Sequence, residues 1–224
     1  MSTTIIHRRG LARPPKRVPL IRTDDRPRLL DEEAFVNWAA KNDGLKVEWV
    51  DGEVQYRSPP NFSHCSINLW LCRLLGDFVE TNDLGVVLGP EFMTRLLAST
   101  PRRRVPDILF VDASRVHLFT KQHFEGPPDV LFEIVSPDEP ARDYRTKYFE
   151  YQSAGVREYW IVDPMSEGIE ASRLNAQGKY ELIQPDEKSA LRSEAIKGFF
   201  LKPAWVFSDP RPKFRKCLRE MGVR

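Results

Sequence analysis

Two short apolar segments of the sequence each carry a carboxylate in their interior. The first, Val105–Val111, contains Asp107, and the second, Asp129–Val135, contains Glu133. Hydrophobic residues occupy both faces of each segment, which is typical of strands buried in the middle of a sheet. A buried carboxylate without a partner costs several kcal/mol or takes up a proton. Two such acids on neighbouring strands therefore predict a shared cation. An all-oxygen ligand set favours Mg²⁺, with Mn²⁺ as the alternative, over zinc.

Two acids and a lysine that share a metal ion would permit hydrolysis of a phosphodiester. The metal offsets the phosphate charge and lowers the pKa of a bound water, while the lysine orients the nucleophile or stabilises developing charge. Lys147 is the candidate lysine, because it lies on the helix expected to follow the Glu133 strand, at the border of that helix's apolar face. The alternative role for Lys147 is an i, i+4 ion pair with Asp143.

Other polar residues are auxiliary candidates. Glu48, in a predicted hairpin strand, either reaches the site as a third metal ligand or a partner of metal-bound water, or is a surface acid. His64, at the start of a long helix, either contacts phosphate or acts as an acid, or has a structural role. A basic triplet just before the first acidic strand is predicted to contact nucleic-acid phosphates; its members are Arg102, Arg103 and Arg104.

The composition limits the class of protein. The 224 residues are 41% hydrophobic, which is enough for one sizeable core with extensions. No apolar run approaches the ~20 residues that span a bilayer, and the first residues lack the apolar stretch of a signal peptide, so a membrane protein is not expected. Three cysteines without a CxxC motif favour a reducing, cytoplasmic compartment. The net charge of +2 is too small to identify a nucleic-acid binder by itself.

Secondary-structure patterns position the candidate residues. A helix is expected to begin near Asp31, and a hairpin to follow around the turn Asp51-Gly52. A long helix comes next, because apolar residues recur at i, i+3, i+4 and i+7 over Ile67–Phe78. Further strands, a helix over residues 141–154 and an antiparallel ribbon complete the pattern. This order predicts an α/β (α+β) fold in which helices flank a mixed central β-sheet.

The chain divides into three predicted segments. Residues 1–28, rich in proline and arginine and without periodicity, predict a flexible basic arm. Residues 29–207 form the predicted folded domain, in which an N-terminal helix and hairpin and a C-terminal β-ribbon are additions to the central sheet. Residues 208–224 predict a basic tail. The basic residues of both ends would suit phosphate contacts, although solvation without a partner is the expected state.

The motifs around the two acids resemble those of a known family. They are Pro106-Asp107, the segment Gly126–Pro137, Asp143 with Lys147 and Tyr151, the segment Gly155–Pro164, the hairpin Glu48–Glu53 and the helix entry Ser58–His64. Over residues 30–207 the chain resembles the Uma-type putative restriction endonuclease family, whose members resemble the PD-(D/E)xK nuclease superfamily. This resemblance implies a restriction-endonuclease-like fold and Mg²⁺-dependent cleavage of DNA, with Asp107 as the first acid and Glu133 as the second.

One position departs from the superfamily pattern. In the broad superfamily a lysine stands two residues after the second acid, whereas this chain has Val135 there. The Uma-type pattern lacks that lysine as well. Lys147, on the following helix, is predicted to reach the same point in space.

The sequence leaves three functions open. The leading hypothesis is a Mg²⁺-dependent endonuclease that acts on DNA. The first alternative is a nucleic-acid-binding protein that keeps the nuclease fold, has weak or no catalysis, and binds through the basic arm and Arg102–Arg104. The second alternative is a metal-dependent phosphohydrolase of small substrates. A homodimer is an expectation of the nuclease hypothesis, because two sites related by a two-fold axis are the simplest way to cut two strands.

Overall fold

The structure is a computed structural model that describes residues 26–42, 44–97, 101–136 and 141–223, with the backbone alone for residues 141–144. Along these residues the helices are α1 (Glu32–Lys41), α2 (Phe62–Thr81), α3 (Ala141–Ala154), α4 (Pro203–Phe207) and α5 (Phe214–Glu220), with a 3₁₀ helix at Ala113–Leu118. The strands are β1 (Val47–Val50), β2 (Glu53–Tyr56), β3 (Gly85–Leu88), β4 (Met93–Leu96), β5 (Arg102–Arg104), β6 (Ile108–Asp112), β7 (His123–Glu125), β8 (Val130–Ile134), β9 (Glu158–Asp163), β10 (Gly168–Leu174), β11 (Tyr180–Leu182), β12 (Leu191–Arg192) and β13 (Phe200–Leu201).

The strands form two mixed sheets and one short ribbon. The five-stranded sheet has the order β2-β1-β5-β4-β7, and the six-stranded sheet has the order β11-β10-β9-β8-β6-β3, while β12 pairs with β13. Neighbouring strands are antiparallel except for β4 with β7 and β8 with β9, which are parallel. The predicted mixed α+β fold with helices flanking a mixed sheet is confirmed. The predicted hairpin lies in a second sheet, because β1 also pairs with β5.

Helix α2 packs its apolar face against the six-stranded sheet. The helix begins where the Asn61 side chain accepts a hydrogen bond from the N–H of His64, which satisfies one of the free donors of the first turn. Buried residues recur along one face and share a core with β6, β8 and β9; they include Ile67, Leu71, Leu74, Phe78, Phe110, Phe132 and Trp160. The predicted amphipathic helix is therefore present and fixes His64 relative to the sheet.

Helix α3 covers the opposite face of the same strands. Side chains alternate along β6 and β8, so that Leu109 and Leu131 point away from the α2 core and share a second core with Tyr151 and Tyr159. Glu133 follows Leu131 at the same spacing of two residues, and it therefore faces α3. This alternation explains how an acid can lie in an otherwise apolar strand and still meet polar side chains from a helix.

Helix α1 packs on the hairpin of the five-stranded sheet. Asp31 caps the helix by accepting a hydrogen bond from the N–H of Ala34. Phe35 is fully buried and shares a small core with Trp49 and other hairpin residues. At the turn, Asp51 and Gly52 have φ angles of 51° and 90°, the left-handed conformation that a two-residue hairpin requires. The predicted helix and hairpin are both present.

The structure describes the C-terminal segment of the chain but little of the N-terminal arm. Residues 1–25 of the predicted arm lie outside the described residues. The segment predicted as a basic tail contains α5, which packs on α2: Cys217 is buried in the core, and the Arg73 guanidinium lies 4.3 Å from the centroid of the Phe214 ring. Across the described part of the chain, none of the helices combines the length and the apolar character that crossing a bilayer requires.

Candidate active site

The two predicted acids lie at one end of the six-stranded sheet. Asp107 immediately precedes β6, and Glu133 is in β8, which pairs with β6 so that Ile108 stands opposite Phe132. The Asp107 carboxylate reaches β8, where its Oδ2 atom accepts a hydrogen bond of 2.8 Å from the N–H of Ile134. The two acids are 9% and 1% exposed. The fold therefore brings them together, because Asp107 binds the residue that follows Glu133.

Lys147 enters the same site from α3. Its side chain is 2% exposed, and its Nζ atom lies 3.0 Å from Oε2 of Glu133. The other oxygen of Glu133 accepts a hydrogen bond of 2.8 Å from the Tyr151 hydroxyl. Lys147 and Tyr151 are four residues apart, so they share one face of α3 and hold the carboxylate between them. The geometry agrees with the predicted approach of Lys147 to the second acid. The alternative partner, Asp143, has a side chain outside the described residues.

Burial and a like charge act together on Asp107. Burial disfavours the ionised carboxylate, and the nearby negative charge of Glu133 disfavours it further. These effects outweigh the hydrogen bond from Ile134 and the positive charges of Lys147 and Arg57, and they raise the pKa of Asp107 to about 7. The ionised form of Asp107 is therefore disfavoured by its surroundings, and additional positive charge would stabilise it.

His64 contacts the first acid from the α2 side. Its Nε2 atom lies 3.1 Å from Oδ1 of Asp107. Burial lowers the pKa of His64, and the positive charge of Lys46 lowers it further, so the neutral imidazole is favoured. In the tautomer with a proton on Nε2, the ring donates a hydrogen bond to Asp107. His64 thus helps to orient the acid.

Glu48 is buried behind the site. It is 0% exposed, its Oε1 atom accepts a hydrogen bond of 3.0 Å from the N–H of Val105, and its Oε2 atom accepts one of 2.8 Å from Arg104. Burial alone would raise the pKa of Glu48, but the positive charges of Lys147, Arg104 and Arg57 lower it to about 2. The surface-acid alternative is wrong. Glu48 is an ionised internal group that fixes the segment leading into β6.

The predicted phosphate-contacting triplet forms β5, the middle strand of the five-stranded sheet. Arg103 is 6% exposed and donates a hydrogen bond of 2.9 Å to Glu32, while Arg104 is 4% exposed and binds both carboxylate oxygens of Glu150 on α3. Arg102 is more accessible and pairs with an acid of the hairpin turn. This arrangement corrects the expectation for Arg103 and Arg104, because both side chains are buried and their guanidinium groups are paired with acids of the fold.

A cleft opens beside Asp107 and contains two cationic side chains that the sequence reasoning missed. Lys46 and Arg57 line this cleft together with His64 and Asp107. They flank the β1–β2 hairpin, and the N–H of Arg57 donates a hydrogen bond of 2.9 Å to the carbonyl of Lys46. The Asp51-Gly52 turn predicts this pairing, since its register makes residues 46 and 57 opposite neighbours. The hairpin thus delivers positive charge to the cleft.

The donor set at this site fits a hard divalent cation. The described residues contain no group of three or more His, Cys, Asp or Glu side chains that could hold a metal ion. Mg²⁺ does not require one, because it usually binds through one or two carboxylates and keeps several waters or substrate phosphate oxygens. Two neighbouring carboxylates, one of which has a raised pKa, provide such a partial ligand set. The residues that would hold the ion are Asp107 and Glu133.

The chain is similar to known proteins in both family and fold. The family model described as "Uma2: Putative restriction endonuclease" matches residues 32–204. A crystal structure described as a putative nuclease belonging to DUF820 from Anabaena variabilis ATCC 29413 matches with a TM-score of 0.59 and 20% sequence identity, covering 72% of this chain and 89% of that chain. At that identity the likeness shows a shared fold. No curated protein matches the chain.

Glu48→Gln is expected to remove a pH-dependent part of the stability. The lowered pKa of Glu48, about 2 against an ordinary value of 4.5, stabilises the folded protein above the unfolded-state pKa, and this stabilisation is lost as the pH falls from about 4.5 toward 2. At pH 7 it amounts to roughly 3 kcal/mol. Urea unfolding at pH 7 and pH 3 measures the effect, and the wild type should lose more stability on acidification than Glu48→Gln.

An exposed acid provides the control for this experiment. Glu170→Gln changes an exposed side chain of β10 and should follow the wild type at both pH values. Equal losses of stability in the wild type and Glu48→Gln would contradict the buried, ionised state of Glu48.

Proposed function

We propose, since the chain belongs to the Uma2 family of putative restriction endonucleases, that it is a metal-dependent endonuclease that hydrolyses phosphodiester bonds of DNA. The family and the nuclease-like fold support a nuclease. Asp107 and Glu133 would hold Mg²⁺, or Mn²⁺ in its place, and Lys147 would assist the reaction. The observation that carries it is the 3.0 Å contact of the Lys147 ammonium with Glu133, next to a second buried acid.

Each acid is held in a fixed orientation, which suits metal binding. Tyr151 and Lys147 hold the Glu133 carboxylate from α3, while the N–H of Ile134 holds one oxygen of Asp107. A bound divalent cation would offset the phosphate charge and lower the pKa of an attacking water. Ligands that are oriented before binding lose little freedom when the ion binds, so the arrangement is suited to a cation that demands regular geometry.

Lys147 supplies positive charge where the reaction needs it. Its ammonium group stays close to the second acid and can orient an attacking oxygen or stabilise charge that develops on the phosphate. In the cleft, Lys46 and Arg57 can attract and bind the phosphate before reaction. Burial of Lys147 strengthens its electrostatic effect, because charges act more strongly where water is excluded.

The alternative of a binding protein without catalysis loses part of its support. That hypothesis relied on Arg102–Arg104 as a phosphate-binding surface. Arg103 and Arg104 are buried and paired with acids, so they have an internal structural role. Lys46 and Arg57 line the cleft beside the proposed reaction centre. Their positive charge favours nucleic acid as the substrate at this centre.

Removal of either acid or of the lysine is expected to abolish DNA cleavage. In supercoiled plasmid with Mg²⁺ or Mn²⁺, Asp107→Ala, Glu133→Gln and Lys147→Met should each lower the nicking rate by at least about 100-fold, because each removes transition-state charge stabilisation of several kcal/mol. Glu170→Gln, which alters an exposed acid, is the matched control and should cut like the wild type. Undiminished cutting by Asp107→Ala, or cutting by the wild type in EDTA, would contradict the proposal.

Metal affinity is expected to depend on pH through Asp107. A metal ion requires the ionised carboxylate, and the pKa of Asp107 is raised to about 7, so binding must release a proton at lower pH. Calorimetric titration with Mn²⁺ should show an affinity that rises about tenfold per pH unit up to pH 7 and then levels off. In Asp107→Asn this dependence should disappear. A wild-type affinity that is constant from pH 5.5 to pH 8 would contradict the assignment of Asp107 as a ligand.

A further inference from the structure

A pocket of about 300 Å³ lies between α1 and the five-stranded sheet, next to the candidate active site. Its volume is at the lower end of the range of small-molecule sites, about 300–1,000 Å³. Apolar side chains from α1, the loop after it and the sheet form much of its lining; they include Val36, Ala39, Leu45, Val47 and Met93. The mechanism proposed above uses none of these residues.

The pocket and the Asp107 cleft share part of their lining. Lys46, Glu91 and Val105 line both spaces. The Nζ atom of Lys46 lies 3.8 Å from Oε1 of Glu91, so an ion pair stands at the boundary between them. Val105 is two residues before Asp107, and two residues of extended chain span at most ~7 Å. A single ligand could therefore occupy the pocket and present a charged group to the acid.

Polar groups line the pocket at defined positions. Arg103 donates a hydrogen bond of 2.9 Å to Glu32, which fixes the plane of its guanidinium group. The ring of His123 is held by Glu125, with 2.8 Å between Nε2 and Oε2. Gln122, which is exposed, adds a carboxamide that can both donate and accept hydrogen bonds. The site thus combines apolar walls with oriented polar groups, which is typical of specific ligand pockets.

A nucleobase has the matching chemistry. Its faces are apolar enough to pack on aliphatic side chains and to stack on an arginine plane, and its edge carries donors and acceptors that carboxamide and guanidinium groups recognise. Its own nucleotide carries the phosphate that the adjacent cationic cleft would receive. A base inside such a pocket cannot remain stacked in a duplex, so it must come from a single strand or be extruded from a helix.

We propose that this pocket binds an unpaired or extruded nucleobase of the nucleotide whose phosphate enters the Asp107 cleft. The inference rests on the proposed nuclease function and narrows its substrate to DNA in which one base next to the cut is out of the stack. Specificity then arises from the cost of extruding a base, which is smallest in single-stranded or mismatched DNA.

Equilibrium dialysis with two small probes tests this inference without any turnover. The probes are a deoxynucleoside 5′-monophosphate and deoxyribose 5-phosphate, in which a hydroxyl group replaces the base. Base stacking and packing are expected to make the nucleotide bind about tenfold more tightly to the wild type. Ala40→Phe fills the pocket from an exposed position of α1 and should abolish this advantage, whereas Asn37→Phe, on the same helix but outside the lining, should retain it.

The outcomes separate the pocket from the nuclease proposal. Equal binding of the two probes to the wild type, absence of binding of either probe, or an unchanged nucleotide preference in Ala40→Phe would overturn the pocket assignment. Ala39→Leu, a smaller change in the same lining, repeats the test in a second variant. Nucleotide preference in a protein that cuts neither plasmid DNA nor single-stranded DNA would support the pocket and contradict the nuclease, whereas cutting without that preference would do the reverse.

Discussion

Arg104 is buried in the middle strand of the five-stranded sheet, and its guanidinium group contacts acids from two other elements, Glu48 of β1 and Glu150 of α3. The contact with Glu150 is bidentate, which is the strongest geometry for an arginine and a carboxylate. Loss of one partner would leave uncompensated buried charge, at a cost of about 3–5 kcal/mol. Because α3 also carries Lys147, this contact fixes the lysine relative to the sheet that supports the cleft.

The electrostatic properties of the candidate active site depend on which charged groups surround each buried carboxylate. Glu48 is stabilised as an anion by neighbouring cations, and its pKa falls to about 2. Asp107 has the opposite balance, since burial and the charge of Glu133 outweigh the attraction of Lys147 and Arg57 and its pKa rises to about 7. Two carboxylates in one interior thus have opposite electrostatic environments. Asp107, the acid with the raised pKa, lines the cleft together with Lys46 and Arg57.

Local sequence patterns were sufficient to predict those elements and acids whose signal lies within a few consecutive residues. The Asp51-Gly52 turn, the apolar stripe of α2 and the doubly apolar strands around Asp107 and Glu133 each carry their own evidence within a few residues. The burial of β5 could not be predicted in this way. An arginine triplet is typical of a surface, and the acids that allow Arg103 and Arg104 to be buried lie 71 and 46 residues away in the chain. The pairing of Lys147 with Glu133 was predictable only through the family resemblance and helical geometry.

We propose that Asp107 and Glu133 share one divalent cation. Anomalous diffraction from crystals soaked in Mn²⁺ tests it directly, because the scattering identifies the metal independently of its ligands. We expect one strong peak where β6 begins and β8 ends, within about 2.1 Å of a carboxylate oxygen from each acid, and we expect no such peak in Asp107→Asn crystals soaked in the same way. A peak that is bound by other residues alone, or no peak at these acids in the wild type, would contradict it.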